Sequence, residues 1–423
     1  MCLTIPGQVV EIDDQKALIK TFNGKRQVNI ELLSSVKVGD WLLASTDLAV
    51  KKIKVKDAKE ILELLRGKKL TDTKNVSLKF KEIFKNAQIK NLTKEEIVYL
   101  LKTEGQEKEA LFSEADAICK ENLKDFICLH AIIEFSNHCV NNCLYCGLRS
   151  ENKTIKRYRM SVSEIVKVAS DAVDKIDYKM VVLQSGADKE YTDEMLVEVI
   201  RKIKLKSRCF IFVSVGERSV DCYKKMKKAG ASGVLFRFET SNKKLYNSLH
   251  PENTLKGGLK NRLTLLREIK KMGYYISSGP MIGLPGQTIG DLAEDILMTK
   301  KLGVGMVSMG PFIPCDNTPL KDMEHGDVEL SLKMIAVSRL VMPKARIPIT
   351  TALETLDPLN TRKRGLQGGA NSLMFNLTLA EYRRKYKIYP NKFYGRDKDL
   401  EDFALYKGKE SWEMLEREFK KYL

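Results

Sequence analysis

The sequence predicts an α/β protein in which a small, OB-like β-barrel precedes a closed (β/α)8 barrel of the TIM type. Two observations predict it. Between residues 129 and 375, eight apolar segments of strand length alternate with helical segments, and parallel strands joined by crossover helices bury both faces. Residues 1–50 instead hold short strand-like segments separated by turn residues. A doubly wound open sheet is the alternative for the larger part.

The N-terminal part is predicted to form four strands and one helix. The strands are residues 8–12, 17–22, 27–33 and 41–45, separated by Asp-Asp, Asn-Gly and Gly-Asp turn signals. Residues 57–66 then place apolar side chains on one helical face. We therefore expect a first domain over residues 1–70, a linker over 71–79 and a second domain over 80–423.

The second domain is predicted to begin with two helices, of which the first opens at a capping box, Thr93 to Glu96. The second covers residues 105–122. The barrel strands that follow are residues 129–135, 180–184, 210–215, 234–238, 275–282, 306–309, 347–350 and 371–375. Because such barrels carry their active sites at the carboxyl ends of the strands, polar residues that follow a strand are the candidate site.

Composition narrows the class of protein. The chain is 43% hydrophobic and 30% charged, as in ordinary soluble proteins. It has neither a secretory signal nor a run of the roughly 20 apolar residues that span a bilayer, so we expect a cytoplasmic protein without a membrane partner. The net charge of +18 is spread along the chain, which favours solvated helix faces over a nucleic-acid partner. Nine cysteines, an odd number, fit a reducing compartment.

The loop after the first barrel strand holds a Cys-x3-Cys-x2-Cys triplet, Cys139, Cys143 and Cys146. Three thiolates on one loop can hold three irons of a 4Fe–4S cluster and leave the fourth iron open for chemistry. Structural zinc is the alternative, but it usually takes paired ligand groups, and no second Cys-x2-Cys or His-x3-His pair occurs in the sequence. The triplet therefore predicts a catalytic cluster at the barrel rim.

Charged residues follow the third and fourth strands. Arg237 and Glu239 are two positions apart, so on a strand they point to the same side. They would clamp a zwitterion, with Glu239 on an ammonium or a ribose hydroxyl and Arg237 on a carboxylate. Arg262 could add a second carboxylate contact, and Glu217 follows the third strand. A structural ion pair is the alternative.

Small and polar residues follow the other strands. After the second strand, Gln184, Ser185 and Gly186 could bind an amino or carboxylate group, or form a plain turn. Ile282, in a glycine-rich stretch, could pack on the face of a flat ligand. Strands seven and eight supply a second set, suited to a polar or anionic ligand: Thr350, Thr351 and Asn371.

Taken in chain order, these motifs resemble the radical S-adenosylmethionine (SAM) superfamily and, within it, the HydE family of iron-iron hydrogenase maturases. The matching motifs lie at residues 133–139, 144–147, 157–160, 184–186, 216–218, 283–288, 310–314 and 347–351. The resemblance implies a full (β/α)8 barrel, a 4Fe–4S cluster and SAM, which is cleaved by an electron from the cluster to methionine and a 5′-deoxyadenosyl radical.

The resemblance also implies residue roles. The three loop cysteines would bind the cluster. The SAM contacts would be Tyr145, Gln184, Ser185, Gly186, Glu217, Arg237, Glu239, Arg262 and Ile282. Thr350 and Thr351 match the inner cavity, where the family is thought to act on a cysteine-bound iron carrying carbonyl and cyanide. An electron donor of the ferredoxin or flavodoxin class and other hydrogenase maturases would be the partners.

Some positions depart from the family pattern, and they bear on the substrate. The histidine usual between Arg237 and Glu239 is Phe238, and the acid usual after Gly186 is Ala187. A different substrate therefore stays open, for instance an amino acid rearranged as in the related methylornithine synthase, or another iron cofactor. A protein that binds nucleic acid or carries metal, with a structural cluster, is the non-enzymatic alternative.

The N-terminal part resembles the HypC/HupF family of nickel-iron hydrogenase maturation chaperones, through residues 1–12 and 38–41. In that family the second residue, exposed when Met1 is removed, helps to carry iron, which makes Cys2 a possible iron ligand here. The usual histidine is replaced by Ser45. A docking domain that has lost its iron site is the alternative.

Overall fold

The structure is a computed structural model that describes residues 5–21, 24–45, 48–58, 76–89, 91–124, 126–251 and 258–392. The chain divides into two compact units between Thr73 and Lys74. The finer boundaries proposed from the sequence, with a linker over residues 71–79, stay a prediction. No helix of the described residues is long and apolar enough to cross a membrane.

The N-terminal unit contains the predicted small β-barrel, which is closed and has five strands where the sequence predicted four. Its strands, in the order β1-β2-β3-β5-β4 around the barrel, are β1 (Ile5–Asp13), β2 (Lys16–Thr21), β3 (Gly24–Asn29), β4 (Trp41–Ser45) and β5 (Leu48–Ile53). The sequence did not predict β5, because Lys51 and Lys52 interrupt its apolar alternation. Both lysines are exposed. The strand is held by pairing with β4 and by Ala49, which is buried in the core of the small barrel.

The larger unit is a parallel eight-stranded sheet that curls into a barrel. In chain order the strands are β6 (Cys128–Ser136), β7 (Met180–Ser185), β8 (Phe210–Ser214), β9 (Gly233–Leu235), β10 (Tyr275–Ser278), β12 (Met306–Val307), β14 (Pro348–Ile349) and β15 (Ser372–Asn376). Two backbone hydrogen bonds join the edges of the sheet at β12 and β14, from Val307 N to Arg346 O at 2.7 Å and from Arg346 N to Gly305 O at 2.8 Å. The predicted (β/α)8 architecture is confirmed, and the open-sheet alternative is wrong.

Helices connect these strands and surround the sheet. The longer ones are α1 (Leu78–Ile89), α2 (Lys94–Leu101), α3 (Gly105–Leu123), α4 (Val162–Asp174), α5 (Asp193–Lys206), α6 (Val220–Lys228), α8 (Gly258–Lys271), α9 (Ile289–Leu302) and α10 (Val328–Val341). The shorter ones are α7 (Lys243–Leu249), α11 (Thr351–Leu356), α12 (Thr361–Gln367) and α13 (Ala380–Arg383). The capping box predicted at Thr93 and Glu96 opens α2. Helix α1 was not predicted.

The fourth and fifth barrel strands are shorter than the sequence suggested. The fourth ends at Leu235. Glu239, beyond the end of the predicted strand 234–238, adopts a left-handed conformation with φ of 68°, which a strand does not allow. The predicted strand 275–282 is divided at Gly279 and Pro280 into β10 and β11 (Met281–Ile282). Strand β11 pairs with β13 (Gly310–Pro311), so that these chain segments form a separate small sheet at the barrel mouth.

Candidate active site

The cluster loop, which we define as residues 137–147, follows β6 and turns across the carboxyl end of the barrel. Glycine positions fix its course. A Cβ atom on Gly186 would lie 2.8 Å from the Cβ of Cys139 and would collide with the carbonyl oxygen of His138. The backbone after β7 therefore lies directly against the loop, and Val140 N donates to Ala187 O at 3.0 Å.

Arg157 holds the cluster loop from outside. Its guanidinium donates to four backbone carbonyls, those of Asn137 (2.5 Å), Leu148 (2.9 Å), Arg149 (2.8 Å) and Asn152 (3.1 Å). A guanidinium has five donors in a fixed fork, so one side chain can tie several turns of an irregular loop. Arg157 belongs to the motif at residues 157–160, and the structure gives that motif a supporting role.

The three loop cysteines carry free thiols, and their electrostatics suit a metal cluster. Burial raises the pKa of Cys143 to about 12, and the neighbouring Cys139 adds to this rise. Burial likewise raises the pKa of Cys146 well above its usual value, with contributions from both other thiols. The thiolate charges therefore lie close enough to repel one another, and bound iron would remove that penalty by holding them deprotonated. The chemistry of three thiols suits a cluster with three cysteine ligands, but among the described residues no three His, Cys, Asp or Glu side chains are placed to hold a single metal ion. The assignment of the three cysteines to a cluster stays a prediction.

Arg237 and Glu239 meet at the barrel mouth, as predicted, but not by strand alternation. Arg237 Nη2 lies 3.2 Å from Glu239 Oε2 because the left-handed backbone of Glu239 turns its carboxylate back. Arg237 Nη2 also donates to Pro280 O at 2.9 Å. Arg237 Nε and Glu239 Oε2 are buried and have no hydrogen-bond partner among the described residues. The pair thus retains capacity for a polar ligand.

Arg262, on the second turn of α8, connects this pair to the third strand end. Its Nη1 donates to Glu217 Oε1 at 2.7 Å, and its Nε donates to Arg237 O at 2.6 Å. The guanidinium lies 4.2 Å from the ring centre of Phe236. Burial alone lowers the pKa of Arg262, but Tyr246, Glu217 and Glu239 more than offset that effect, and the group stays cationic.

The charged groups lie within electrostatic reach of the cluster loop. Arg262 lowers and Glu239 raises the pKa of Cys143. The pKa of Tyr145 rises well above its usual value through burial, Glu239 and Cys143. The Tyr145 hydroxyl lies 2.8 Å from His250 Nε2. The structure therefore brings the predicted cluster ligands together with most of the predicted SAM contacts, and a cation and an anion stand beside three thiols.

Asp295, on α9, organises the strand ends that carry Glu239 and Ile282. Its Oδ1 accepts from Ser241 N at 2.5 Å and from Ser241 Oγ at 2.6 Å. Its Oδ2 accepts from Gln287 Nε2 at 3.2 Å, and Gln287 Oε1 in turn accepts from the backbone of the glycine-rich turn that follows Ile282. The sequence pointed to this turn as a ligand surface, and the structure shows a supporting network behind it.

The predicted SAM contacts Gln184, Ser185 and Ile282 differ in burial and in hydrogen bonding. The Ser185 hydroxyl donates a hydrogen bond to Gly186 O at 2.7 Å, within the turn. Gln184 Nε2 donates to Tyr386 OH at 3.4 Å. Ile282 is fully buried. The assignment of these residues to SAM stays a prediction.

Two of the three predicted substrate contacts lie at the mouth. Thr350 Oγ1 is buried without a hydrogen-bond partner among the described residues. Thr351, the first residue of α11, has its hydroxyl 3.0 Å from Tyr389 OH. An unpaired buried hydroxyl is costly unless a ligand or water uses it, so Thr350 keeps its place as a candidate contact.

The prediction that Asn371 contacts the substrate is wrong, because this residue lies at the amino end of the barrel, opposite the mouth. It precedes β15, and its carbonyl accepts from Cys128 N at the start of β6. Its Oδ1 accepts from Arg339 Nη2 at 3.0 Å and from Ile347 N at 2.9 Å. The sequence placed Asn371 near a strand but at its amino end, where side chains of these barrels serve stability.

The sequence reasoning missed a buried ion pair between Glu134, on β6, and Lys392. Each side chain is only 2% exposed. Asn376 Nδ2 donates to Glu134 Oε2 at 2.8 Å. Burial lowers the pKa of Lys392, and Glu134 opposes that effect. A carboxylate inside the apolar segment 129–135 was the available signal, because a buried charge needs a partner, but nothing local could identify Lys392.

The remaining predictions concern Cys315 and the N-terminal part of the chain. Cys2 and the helix beyond residue 58 lie outside the described residues, and the same is true of the side chain of Ser45. Cys315 is buried beneath the cluster loop, with its Sγ 2.7 Å from the Cβ position of Gly147. It is therefore part of the support of the loop.

Comparison with known proteins matches both parts of the chain. The HupF/HypC family matches residues 1–65, and the radical SAM superfamily matches residues 133–298. The FeFe hydrogenase maturase subunit HydE of Thermotoga maritima is 44% identical over 291 residues, which cover 69% of this chain and 82% of the relative. The 3-methylornithine synthase of Methanosarcina acetivorans is 28% identical over 312 residues, covering 73% and 86%.

A solved structure supports the same architecture. The crystal structure of methylornithine synthase (PylB) superposes with a TM-score of 0.68 at 23% identity, covering 81% of this chain and 100% of that chain. At this identity the likeness concerns the fold.

Proposed function

This chain belongs to the HydE family of radical SAM enzymes and uses a 4Fe–4S cluster and SAM, and from that membership we propose that it acts in building the active site of a hydrogenase. The observation that carries the proposal is the convergence of three thiols with Arg262 and Glu239 at one end of the barrel. When bound, the cluster supplies the electron that cleaves the sulfonium of SAM.

The residues at the mouth have separate tasks in this proposal. Cys139, Cys143 and Cys146 hold three irons of the cluster. Glu239 accepts hydrogen bonds from the ammonium of SAM, the guanidinium of Arg237 binds its carboxylate, and Arg262 adds a second contact to that carboxylate. Burial of Glu239 and Arg262 strengthens their contacts, because water does not compete with them.

Anaerobic reconstitution tests the cluster assignment. The wild-type protein should bind about four irons per chain and, with dithionite, convert SAM to methionine and 5′-deoxyadenosine. We expect the Cys143→Ala variant to lose this cleavage completely. The Cys209→Ala variant is the matched control, since it removes one buried thiol away from the loop. Persistent cleavage in Cys143→Ala would rule out the assignment.

For the substrate we propose a small iron complex, a cysteine-bound iron that carries carbonyl and cyanide. Membership of the HydE family supports it, and so does the unpaired hydroxyl of Thr350. Incubation of the reduced enzyme with SAM and a synthetic complex of this kind should give an adenosylated or otherwise converted product. Intact SAM cleavage without conversion would favour the second candidate, an amino acid substrate, which the likeness to 3-methylornithine synthase suggests.

The N-terminal unit, a HupF/HypC domain, is proposed to serve maturation by carrying iron on Cys2 or by docking another maturase. Iron binding can be measured in the Cys143→Ala background, where the cluster is lost. If the additional change Cys2→Ser removes the residual iron, the domain is an iron carrier. If the iron content is unchanged, docking of another maturase is the remaining role. We place the protein in the cytoplasm, because unpaired thiols and a cluster require reducing surroundings.

A further inference from the structure

The outer face of the cluster loop carries a group of cations that we name the basic rim patch: Lys153, Lys156, Arg384, Lys385 and Lys387. Lys385 is half-buried and the others are exposed. None of the five forms an ion pair with a carboxylate of the described residues. Exposed lysines on this protein often pair along a helix, as Lys167 does with Asp171 at 2.7 Å. Three acidic residues line two cavities beside the patch: Asp316 lines the first, and Asp188 and Glu190, both paired with Arg159, line the second. Among the described residues the basic rim patch therefore keeps a net positive charge.

This patch is attached to the backbone of the cluster loop. Gly147, which follows Cys146, donates its N–H to Ile388 O at 3.0 Å. Asn137 Nδ2 donates to Lys385 O at 2.8 Å. The side chains of Lys385 and Lys387 thus stand on a segment that is one hydrogen bond away from the residue after a cluster ligand.

The surface around the patch is concave. A cavity of about 700 Å³ is lined by Lys156, Arg384, Lys385 and Lys387. A second cavity of about 360 Å³ is lined by Lys153, together with Cys139 itself. A positive, concave surface focuses the field on an acidic partner and speeds its association.

The inner face of the loop is already assigned. Arg262 and Glu239 face Cys143 from the barrel interior, and in the proposed function this side holds SAM. Each SAM cleavage consumes one electron, which in the proposed function comes from a reductant outside the chain. An electron carrier must therefore approach the loop from its outer face.

We propose that the basic rim patch docks an acidic, low-potential electron-carrier protein of the flavodoxin or ferredoxin class. The inference rests on the proposed function. The carrier is oxidised by one electron and the cluster is reduced by one electron, with no bond made or broken at the patch. The carrier is favoured over a nucleic acid because the cations are concentrated beside a cluster ligand, where docking shortens the path of the electron.

A charge-reversal variant tests the docking surface. In Lys156→Glu/Arg384→Glu/Lys387→Glu three of the four exposed cations become anions. Binding of an oxidised flavodoxin to the cluster-free protein, measured by calorimetry at low ionic strength, should weaken roughly ten- to hundredfold. Wild-type binding should weaken as salt is added, because the Debye length is about 10 Å at 0.1 M.

Kinetics separate docking from chemistry. SAM cleavage driven by reduced flavodoxin should fall in the triple variant in parallel with binding, while cleavage driven by dithionite should stay at the wild-type rate. A parallel loss with dithionite would overturn the proposal, because the patch would then act on the cluster or on SAM. If the wild type cleaves no SAM with dithionite, the proposed function fails, and the binding measurement on cluster-free protein still decides the docking.

A matched control has the same change of charge elsewhere. Lys206 and Lys228 end α5 and α6 and therefore lie at the opposite end of the barrel, and Lys224 is exposed on α6. The variant Lys206→Glu/Lys224→Glu/Lys228→Glu should bind flavodoxin nearly as well as the wild type. Equal weakening in both variants, or binding of tRNA but not of flavodoxin at the basic rim patch, would overturn the proposal.

Discussion

Each end of the larger barrel holds an arginine, and the two arginines have different roles. At the amino end, Arg339 is completely buried. Its guanidinium donates hydrogen bonds to four oxygens of the chain itself: Gly369 O at 2.8 Å, Pro343 O at 2.9 Å, Ala345 O at 2.6 Å and Asn371 Oδ1 at 3.0 Å. Its donors are thus used to close backbone turns.

At the carboxyl end, Arg262 contacts a carboxylate as well as a backbone carbonyl. It is bonded to Glu217 and lies near Glu239, whose Oε2 has no hydrogen-bond partner among the described residues. The difference teaches that burial and residue type do not distinguish a structural cation from a ligand-binding one. Their hydrogen-bond partners do distinguish them, because a cation whose donors are all used stabilises the fold, whereas groups without a partner can still bind a ligand.

The largest effect should come from the amino end. In Arg339→Met the side chain keeps its approximate volume and loses every donor, which leaves several buried oxygens unpaired. We expect the free energy of unfolding to fall by about 3 kcal/mol, measured by denaturant titration, with SAM binding per folded molecule unchanged. The neighbouring exposed Lys344, changed to Met, is the control and should have little effect. A SAM defect in Arg339→Met would break the comparison.

At the carboxyl end, Arg262→Lys should affect the ligand more than the fold. Lysine keeps the charge but loses the planar fork that binds a carboxylate in two places. We expect SAM to bind about tenfold more weakly. The free energy of unfolding should fall by less than in Arg339→Met, because lysine keeps the positive charge that Glu217 requires. Titration of the reconstituted enzyme with SAM measures the first and denaturant unfolding the second. Lys260→Arg on the same helix is the control, and unchanged SAM affinity in Arg262→Lys would contradict its role.

Asp295 should make the carboxyl end sensitive to pH. Burial raises the pKa of this carboxyl to about 7, although Ser241 opposes the rise. Between about pH 4 and 7 the folded state then holds a proton that the unfolded state has lost, so stability is greatest below this range and falls as pH rises through it, by about 1 kcal/mol per unit.

The Asp295→Asn variant should lack that slope, since it cannot titrate. The measured quantity is the difference in unfolding free energy between wild type and variant across this pH range. Glu294→Gln, which removes an exposed carboxylate from the same helix, should leave the slope in place. A difference that stays constant with pH would show that Asp295 is ionised throughout.

The smallest effect on stability is expected for Thr350→Val. The change removes a buried hydroxyl that has no partner among the described residues, so the free energy of unfolding should change by less than about 1 kcal/mol. SAM cleavage should persist, while conversion of the iron complex should fall several-fold, followed as product formed per SAM cleaved. Thr350→Ser keeps the hydroxyl and should restore conversion. Equal conversion by all three proteins would remove Thr350 from the substrate site.

Much of the fold was predictable because local patterns specify it. Each of the eight strands was found from its apolar run, and the capping box correctly placed the start of α2. Strand β5 was missed because lysines interrupt its apolar alternation. Helix α1 was missed although Phe80, Ile83 and Phe84 lie on one helical face and are buried. Asn371 was misplaced although the start of its strand was predicted to within one residue. It begins the predicted strand 371–375 and so lies at the amino end, whereas the active sites of such barrels lie at the carboxyl ends of the strands.

The sequence by itself determined the cysteine spacing, the alternation of strands and helices, and the motifs that identify the family. These are properties of neighbouring residues, and the chemistry of three thiols on one loop follows directly from them. The tertiary structure alone decided how Glu239 turns back on Arg237, and that Glu134 is paired with a lysine 258 positions away. A buried charge must find a partner, but which one it finds depends on how the barrel closes, and no local pattern encodes that closure.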